Sequence, residues 1–379
     1  MSFEVDGSDF DFSKVTSIKT RFAGGSFALR DSMTQMFTPP RRALAAGFLR
    51  KMKKAYLSID LGGTNLACAV ADEAMQLLGQ SSVPTESHLG PSGVIARIAE
   101  LIETALREHG VEPLGVGVGV PGLVDVRSGT TLFLPNLPGE WRGVPVAEPL
   151  TRRFGCPVSV LNDARLATLG ELHFGAGRSG ASTFAFFTLG TGVGGGVVVD
   201  GRLRLGPLGA AGELGHQTIV PDGPLCGCGN RGCLETLISG PVLIGKGAWL
   251  VRCGRAPILR ERIDGDLERL TPMDMVAAAE AGDEAVREVL VEAARFLGIG
   301  VANIVSVLHP DAVILGGGLA RLGGLLLETV RATVKQRVGM FPPDDVRIEF
   351  SVLGDAAGVW GGLALARDPG PRMETKGHE

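Results

Sequence analysis

Three cysteines crowd into residues 226–233, and with the histidine upstream they form H-x9-C-x-C-x4-C: His216, Cys226, Cys228 and Cys233. Three thiolates and one imidazole complete a tetrahedral shell for Zn2+, and a shell filled by protein marks a structural site, since a catalytic one keeps a position open. Gly227, Gly229 and Gly232 let the loop wrap closely around an ion. The C-x-x-C spacing of a redox pair is absent; the alternative is a loop with free thiols. Glu213 lies three residues before His216, and Glu235 two after Cys233, so fixing the ligands fixes two carboxylates nearby. Carboxylates accept well from vicinal hydroxyls such as those of a sugar ring. His216 could bind the ion through one ring nitrogen and offer its other N–H to a ligand. The competing reading leaves both glutamates as exposed charges.

A second set of residues suits phosphoryl chemistry. N-D-A-R (Asn162 to Arg165) stands between an expected strand and an expected helix. Asn or Asp there serves as an N-cap, and a further role is open to Asp163. A helix start would keep it ionised, ready to take a hydroxyl proton as the oxygen attacks phosphorus. D-L-G-G-T-N places Asp60, Gly62, Gly63, Thr64 and Asn65 at a turn. Backbone N–H groups in such a turn can cradle phosphate oxygens, and Asp60 can hold hydrated Mg2+. L-G-T-G, with Gly190, Thr191 and Gly192, could clamp the phosphates from the opposite side. Gly316, Gly317 and Gly318 at a strand's carboxyl end can admit the flat face of a nucleotide base. Each turn, taken singly, also reads as a plain tight hairpin. Residues 117–122 and 190–195 fit G-x-G-x-x-G, but no helix follows either, which excludes a dinucleotide fingerprint. Residues 240–246 begin like a P-loop but continue with Gly247 where Ser or Thr would bind magnesium.

These groups need a frame, and from Tyr56 onward the pattern alternates between strand and helix. Short apolar strands at 56–59 and 67–70 flank the first glycine turn as a hairpin. Ile95, Ile98, Ile102 and Leu106 recur at helical spacing over 92–109, and Gly110 stands where a C-terminal cap belongs. Strands are expected at 114–120 and 157–161, a helix at 164–174, and a second hairpin over 184–200. A long apolar helix at 285–308 leads to a strand at 312–315. The segments 59–70 and 187–199 repeat strand, Gly-Thr turn, strand, which suggests a duplicated architecture with a cleft between lobes.

Composition narrows the function. Of 379 residues, 45% are apolar and 21% charged, as in a globular chain with a sizeable core, and the formal net charge is −4. No long basic stripe runs through the body, so nucleic acid is not an expected partner. No apolar run reaches the ~18–20 residues of a membrane span, and no signal peptide stands at the start, so a cytosolic location and no membrane partner are expected. Residues 1–51 lack periodicity and end in a basic stretch; they read as a disordered extension or as sequence upstream of a natural start at Met52. Residues 368–379 read as a frayed tail.

The order of D-L-G-G-T-N, N-D-A-R-L-A-T-L-G-E, L-G-T-G-V-G-G-G, G-E-L-G-H and C-G-C-G-N-R-G-C-L-E resembles the ROK family of repressors and sugar kinases, and within it the bacterial ATP-dependent glucokinases. The resemblance covers about residues 56–366 and is most specific in the cysteine segment. It implies an α/β fold of the actin-like ATPase type, a duplicated ribonuclease H-like architecture in which two lobes close over sugar and Mg-ATP. The expected divisions are a first lobe at 52–165, completed by a C-terminal helix at about 355–367, and a second lobe at 166–354 with the zinc loop at 216–233. The resemblance assigns Asp163 as catalytic base. It gives Gly122, Asn136, Asn162, Asp163, Glu213, His216 and Glu235 to the sugar. ATP, catalytic Mg2+ and structural Zn2+ are the implied cofactors, and a homodimer or homotetramer the implied assembly. The chain departs from the family at Arg165, where an asparagine or similar residue is usual, and that bears on the rim of the pocket. The expected activity is transfer of phosphate to the 6-hydroxyl of a hexose, glucose first. Fructose, mannose and N-acetylhexosamine remain alternatives, as do a sugar-responsive repressor and a sugar-binding protein without catalysis.

Overall fold

The computed structural model describes residues 52–369. The expectations for 1–51, and for most of the tail, fall outside them. Two five-stranded sheets carry the chain. The first is built from β1 (Lys53–Leu61), β2 (Asn65–Asp72), β3 (Leu77–Pro84), β4 (Val111–Val120) and, further on, β7 (Val158–Asn162), with α1 (Gly90–His109) between β3 and β4. A two-stranded ribbon, β5 (Leu123–Asp125) and β6 (Thr130–Phe133), and α2 (Ala147–Phe154) precede β7, and α3 (Asp163–Phe174) follows it. The second sheet has β8 (Phe184–Leu189), β9 (Val193–Val199) and β10 (Arg202–Leu203). A long insertion then holds α4 (Glu235–Ile238), α5 (Gly240–Arg252), α6 (Pro257–Arg262), α7 (Pro272–Glu280) and α8 (Glu284–Leu308). β11 (Ala312–Gly316), α9 (Gly324–Arg337), β12 (Arg347–Phe350) and α10 (Ala357–Arg367) complete the chain.

The duplication suggested by the two glycine hairpins extends to the whole sheet. The first runs β3-β2-β1-β4-β7 and the second β10-β9-β8-β11-β12, so both follow the order third, second, first, fourth, fifth. In each, the first strand pairs antiparallel with the second and parallel with the fourth. The first sheet buries Leu57, Ile59, Val116 and Val118 against Ile98 and Ile102 of α1. Each such side chain contributes about 1.5–3 kcal/mol relative to exposure. Gly110 caps α1 in the left-handed region, as the sequence predicts.

The glycine interleaving of β4 has a packing cause. Val116, Val118 and Val120 line the face toward the α1 core, while Gly115 and Gly117 line the other, where α10 lies. A Cβ on Gly117 would strike the Gly362 carbonyl, and one on Gly115 the Ala366 carbonyl. The last helix therefore packs on the first sheet, against β1 and β4. In exchange α3, which follows the first sheet, packs on β8 and β9 of the second. The two helices cross each other where Gly361 meets the Leu166 carbonyl and Gly170 the Ala357 carbonyl.

Sequence reading expects no membrane-length apolar segment, yet α8 is long and apolar enough to cross a membrane by length and composition. Its apolar stripe of Val286, Leu290, Ala293, Leu297, Val301 and Val305 is buried in the second core. Arg287, Glu288, Glu292 and Arg295 stand exposed opposite it. That is the pattern of a core helix.

Candidate active site

Asn162 caps α3, its Oδ1 accepting from the backbone N–H of Ala164 at 3.0 Å and of Arg165 at 3.2 Å. Asp163 takes the first helical position, where its Oδ1 accepts from Ala164 N at 2.8 Å and from Asn162 Nδ2 at 2.9 Å. Its Oδ2 accepts no hydrogen bond from the described residues. Water reaches the side chain, but protein crowds it from most directions. That crowding is the main reason its pKa is pushed up to about 6. The Ala164 N–H pulls the other way, Asp60 adds to the rise, Arg165 opposes it, and Glu213 adds a little more.

Asp60, next to last in the first hairpin's entering strand, lies beside this aspartate. A Cβ on Gly119 would lie 3.6 Å from Asp60 Oδ1 and 3.7 Å from Asp163 Cα, so both acids flank one glycine of β4. Burial raises the Asp60 pKa, and its carboxylate accepts no hydrogen bond from the described residues, which leaves it free for a hydrated cation. The following turn is stiffened from behind: Gly62 N bonds Asn65 O at 2.9 Å, and Thr85 donates its hydroxyl to Gly62 O at 2.7 Å. Gly63, Thr64 and Asn65 are exposed. Gly63 abuts the Asn136 carbonyl. Gly122 has φ +146° and no room for a side chain against the Phe133 carbonyl, so it packs on the segment that leads to Asn136. No hydrogen bond joins Gly122 or Asn136 to Asp163, Glu213 or Glu235.

In the second sheet the Gly190–Gly192 turn joins β8 to β9, with Thr191 exposed at its tip. Glu235 braces it, accepting from Val193 N at 3.0 Å, while α5 begins by bonding Gly240 N to Gly190 O at 2.8 Å. Gly316 ends β11, Gly317 has φ +81° against the Leu189 backbone, and Gly318 is exposed. The three glycines therefore lie beside the second hairpin.

The cysteine loop is tied by bridges between Thr218 and Cys233 and between Leu225 and Arg231. Gly232, at φ +64°, lies so close to the Val220 carbonyl that no other residue fits. The donor atoms of His216, Cys226, Cys228 and Cys233 all fall within 4.8 Å of one another. His216 Nδ1 lies 3.6 Å from Cys226 Sγ, and Cys228 Sγ lies 3.7 Å from Cys233 Sγ. Metal–sulfur bonds of about 2.3 Å and metal–nitrogen bonds of about 2.0–2.1 Å imply tetrahedral edges of roughly 3.8 and 3.6 Å. The donor set fits a tetrahedral ion. His216 Nε2 points the other way, 4.0 Å from Glu213 Oε2.

One residue stands between these groups. Arg165, expected to affect the pocket rim, is only 1% exposed. Its guanidinium reaches Asn162 Oδ1 at 3.1 Å, Ala211 O at 3.0 Å, Ala210 O at 3.1 Å and Glu213 Oε1 at 2.8 Å. Nothing local in the sequence signals this, because all but one of its acceptors are more than forty residues away.

Comparison with known proteins agrees with this frame. A sequence profile of the ROK family matches residues 56–369. The glucokinase of Streptomyces coelicolor is 37% identical over 321 residues, 84% of this chain and 99% of that one. A xylose repressor of Caldicellulosiruptor bescii is 36% identical over 70% of this chain and 66% of its own length. Among solved structures, a ROK family glucokinase from Streptomyces griseus in complex with glucose and AMPPNP superposes with a TM-score of 0.72 at 36% identity, over 83% of this chain and 99% of that one.

Proposed function

The chain belongs to the ROK family, and from that premise we propose that it is an ATP-dependent sugar kinase that phosphorylates a hexose at the 6-hydroxyl, glucose foremost. One observation carries the reading: the helix start that bears Asp163 and the glutamate beside the metal loop share a single buried guanidinium. A base and a hydroxyl acceptor are thereby held on one rigid block. Glucose as substrate and ATP as donor are supported by the glucokinases of similar sequence and fold.

In this reading Glu213, Glu235 and His216 Nε2 take the sugar hydroxyls, with Gly122, Asn136 and Asn162 around the ring. Ala164 N–H and Asn162 Nδ2 fix Oδ1 of Asp163. Its unengaged Oδ2 accepts the hydroxyl proton as the sugar oxygen attacks the γ-phosphorus and the bond to the β–γ bridging oxygen breaks, releasing ADP. The 62–65 and 190–192 turns offer N–H groups and hydroxyls to the phosphates. Gly316, Gly317 and Gly318 leave room for the base. Asp60 would hold Mg2+, which neutralises charge on the transferring group when bound. His216, Cys226, Cys228 and Cys233 would hold Zn2+, which stiffens the loop that carries the two glutamates. A kinase of this kind works where ATP and free hexose meet, in the cytosol.

ADP release from ATP, followed side by side with glucose, fructose, mannose and N-acetylglucosamine, tests the proposal. Glucose should give the highest kcat/KM. Sugar-independent ADP release, or none with any sugar, removes it. The likeness to a xylose repressor favours a second reading, sugar-dependent DNA binding, which a binding assay with the full-length chain decides.

A further inference from the structure

Arg165 is the largest fully buried side chain among the described residues, and no step of the reaction as described acts on it directly. A buried guanidinium must satisfy five N–H donors and needs an anion close by. Four acceptors surround this one. Ala210 O and Ala211 O belong to the strip of backbone that leads into Glu213, Asn162 Oδ1 belongs to the cap of α3, and Glu213 Oε1 supplies the charge.

The ion pair is lopsided. The arginine side chain is 2% exposed, whereas the Glu213 side chain is 43% exposed. Here the cation is sealed inside and the anion is presented outward. One carboxylate oxygen, Oε1, is spent on the arginine, which leaves Oε2 on the side of His216 Nε2. The Glu213 carboxylate has no other ion pair or hydrogen bond with the described residues except that 4.0 Å approach to His216. Its rotamer is therefore set from beneath by Arg165 alone, and the same guanidinium ties it to the helix turn that carries Asp163.

We propose that Arg165 is a positioning residue for the sugar: it acts through Glu213, holding that carboxylate with Oε2 toward the cleft and in register with the first turn of α3. The inference rests on the reading of Glu213 as a hydroxyl acceptor for a hexose. Without the guanidinium, Glu213 samples several rotamers and must be ordered by each incoming sugar, so affinity for sugar falls. The nucleotide turns at 62–65 and 190–192 share no hydrogen bond with Arg165, so affinity for ATP is spared.

The test is a double-substitution cycle in the full-length chain. Arg165→Gln, Glu213→Ala and the pair are compared with the unmodified protein for sugar KM, ATP KM, kcat and direct sugar binding without ATP. Loss of a charge-assisted contact predicts a rise of about 10- to 100-fold in sugar KM and sugar Kd for Arg165→Gln. ATP KM should move by less than about threefold, and the double variant should bind sugar no worse than Glu213→Ala alone within about threefold. A merely structural role predicts instead that sugar KM, ATP KM and thermal stability all worsen together, and that the two substitutions multiply. Unchanged sugar affinity in Arg165→Gln, or full multiplication in the double variant, overturns the proposal. Arg165→Lys keeps the charge and the stem but cannot reach all four acceptors; it is read by the same criteria where Arg165→Gln does not fold. An unmodified chain that phosphorylates no hexose takes down the kinase reading as well, which separates that failure from one confined to Arg165.

Discussion

Asp163 offers the sharpest prediction because its environment gives it a number. Its pKa is pushed up to about 6, chiefly by burial, and a general base works only when ionised. The sign follows directly: activity is retained above pH 6 and lost as pH falls through it. The ionised fraction is about 90% at pH 7, half at pH 6 and about 9% at pH 5. Sugar kcat/KM, which reports the free enzyme, should therefore fall about tenfold from pH 7 to pH 5. An aspartate at the usual 3.8 would lose only about 6% at pH 5. Glu213 adds to the rise, so Glu213→Gln should move the acid limb to lower pH whatever it does to sugar affinity. Both proteins are assayed with the same MgATP, so titration of the nucleotide moves both profiles alike. A flat profile down to pH 5, or an acid limb that rises in Glu213→Gln, would refute the assignment of Asp163 as base in this environment.

Further outcomes follow from the same geometry. Asp163→Asn should cost about 10²–10⁴-fold in kcat with sugar still bound, since the amide oxygen can keep the Ala164 N–H; near-normal turnover would remove the residue from catalysis. Cys228→Ser should lower zinc content below one ion per chain by elemental analysis and raise sugar KM, and kinetics unchanged in verified zinc-free protein would count against a bracing role for the loop. At the crossing of α3 and α10, Gly361→Ala sets a methyl against the Leu166 carbonyl. It should cost about 1–3 kcal/mol in urea unfolding, whereas unchanged stability would mean the helices are not held in contact there.

The repeat of a glycine-turned hairpin in each half was enough to suggest duplication, because the turn is the most constrained part of each unit. The same reading missed β3, whose L-L-G-Q-S-S-V-P is mostly exposed and does not alternate. It also misses α4 to α7, helices of an insertion that tertiary packing holds together, and β12, which is only four residues long. In the candidate site, motif reading singles out Asp60, Asp163 and the His216, Cys226, Cys228 and Cys233 cluster because each is local to a turn or a loop. Arg165 and the brace from Glu235 to Val193 were illegible for the opposite reason: what defines them is a partner remote in sequence. Asparagine as cap and aspartate as reactive group looked like rival readings of one motif. The structure gives the cap to Asn162, which leaves Oδ2 of the adjacent Asp163 unengaged among the described residues.

The exchange of the two helices bears on how the chain comes into being. Strands β1 and β4 are synthesised long before α10, which covers them. Throughout synthesis the amino-terminal half must therefore keep a face of its sheet unsheltered, a liability for aggregation during translation. Loss of α10 would strip both halves of a shared closure rather than shorten one of them, so it should behave like a defect in the first sheet.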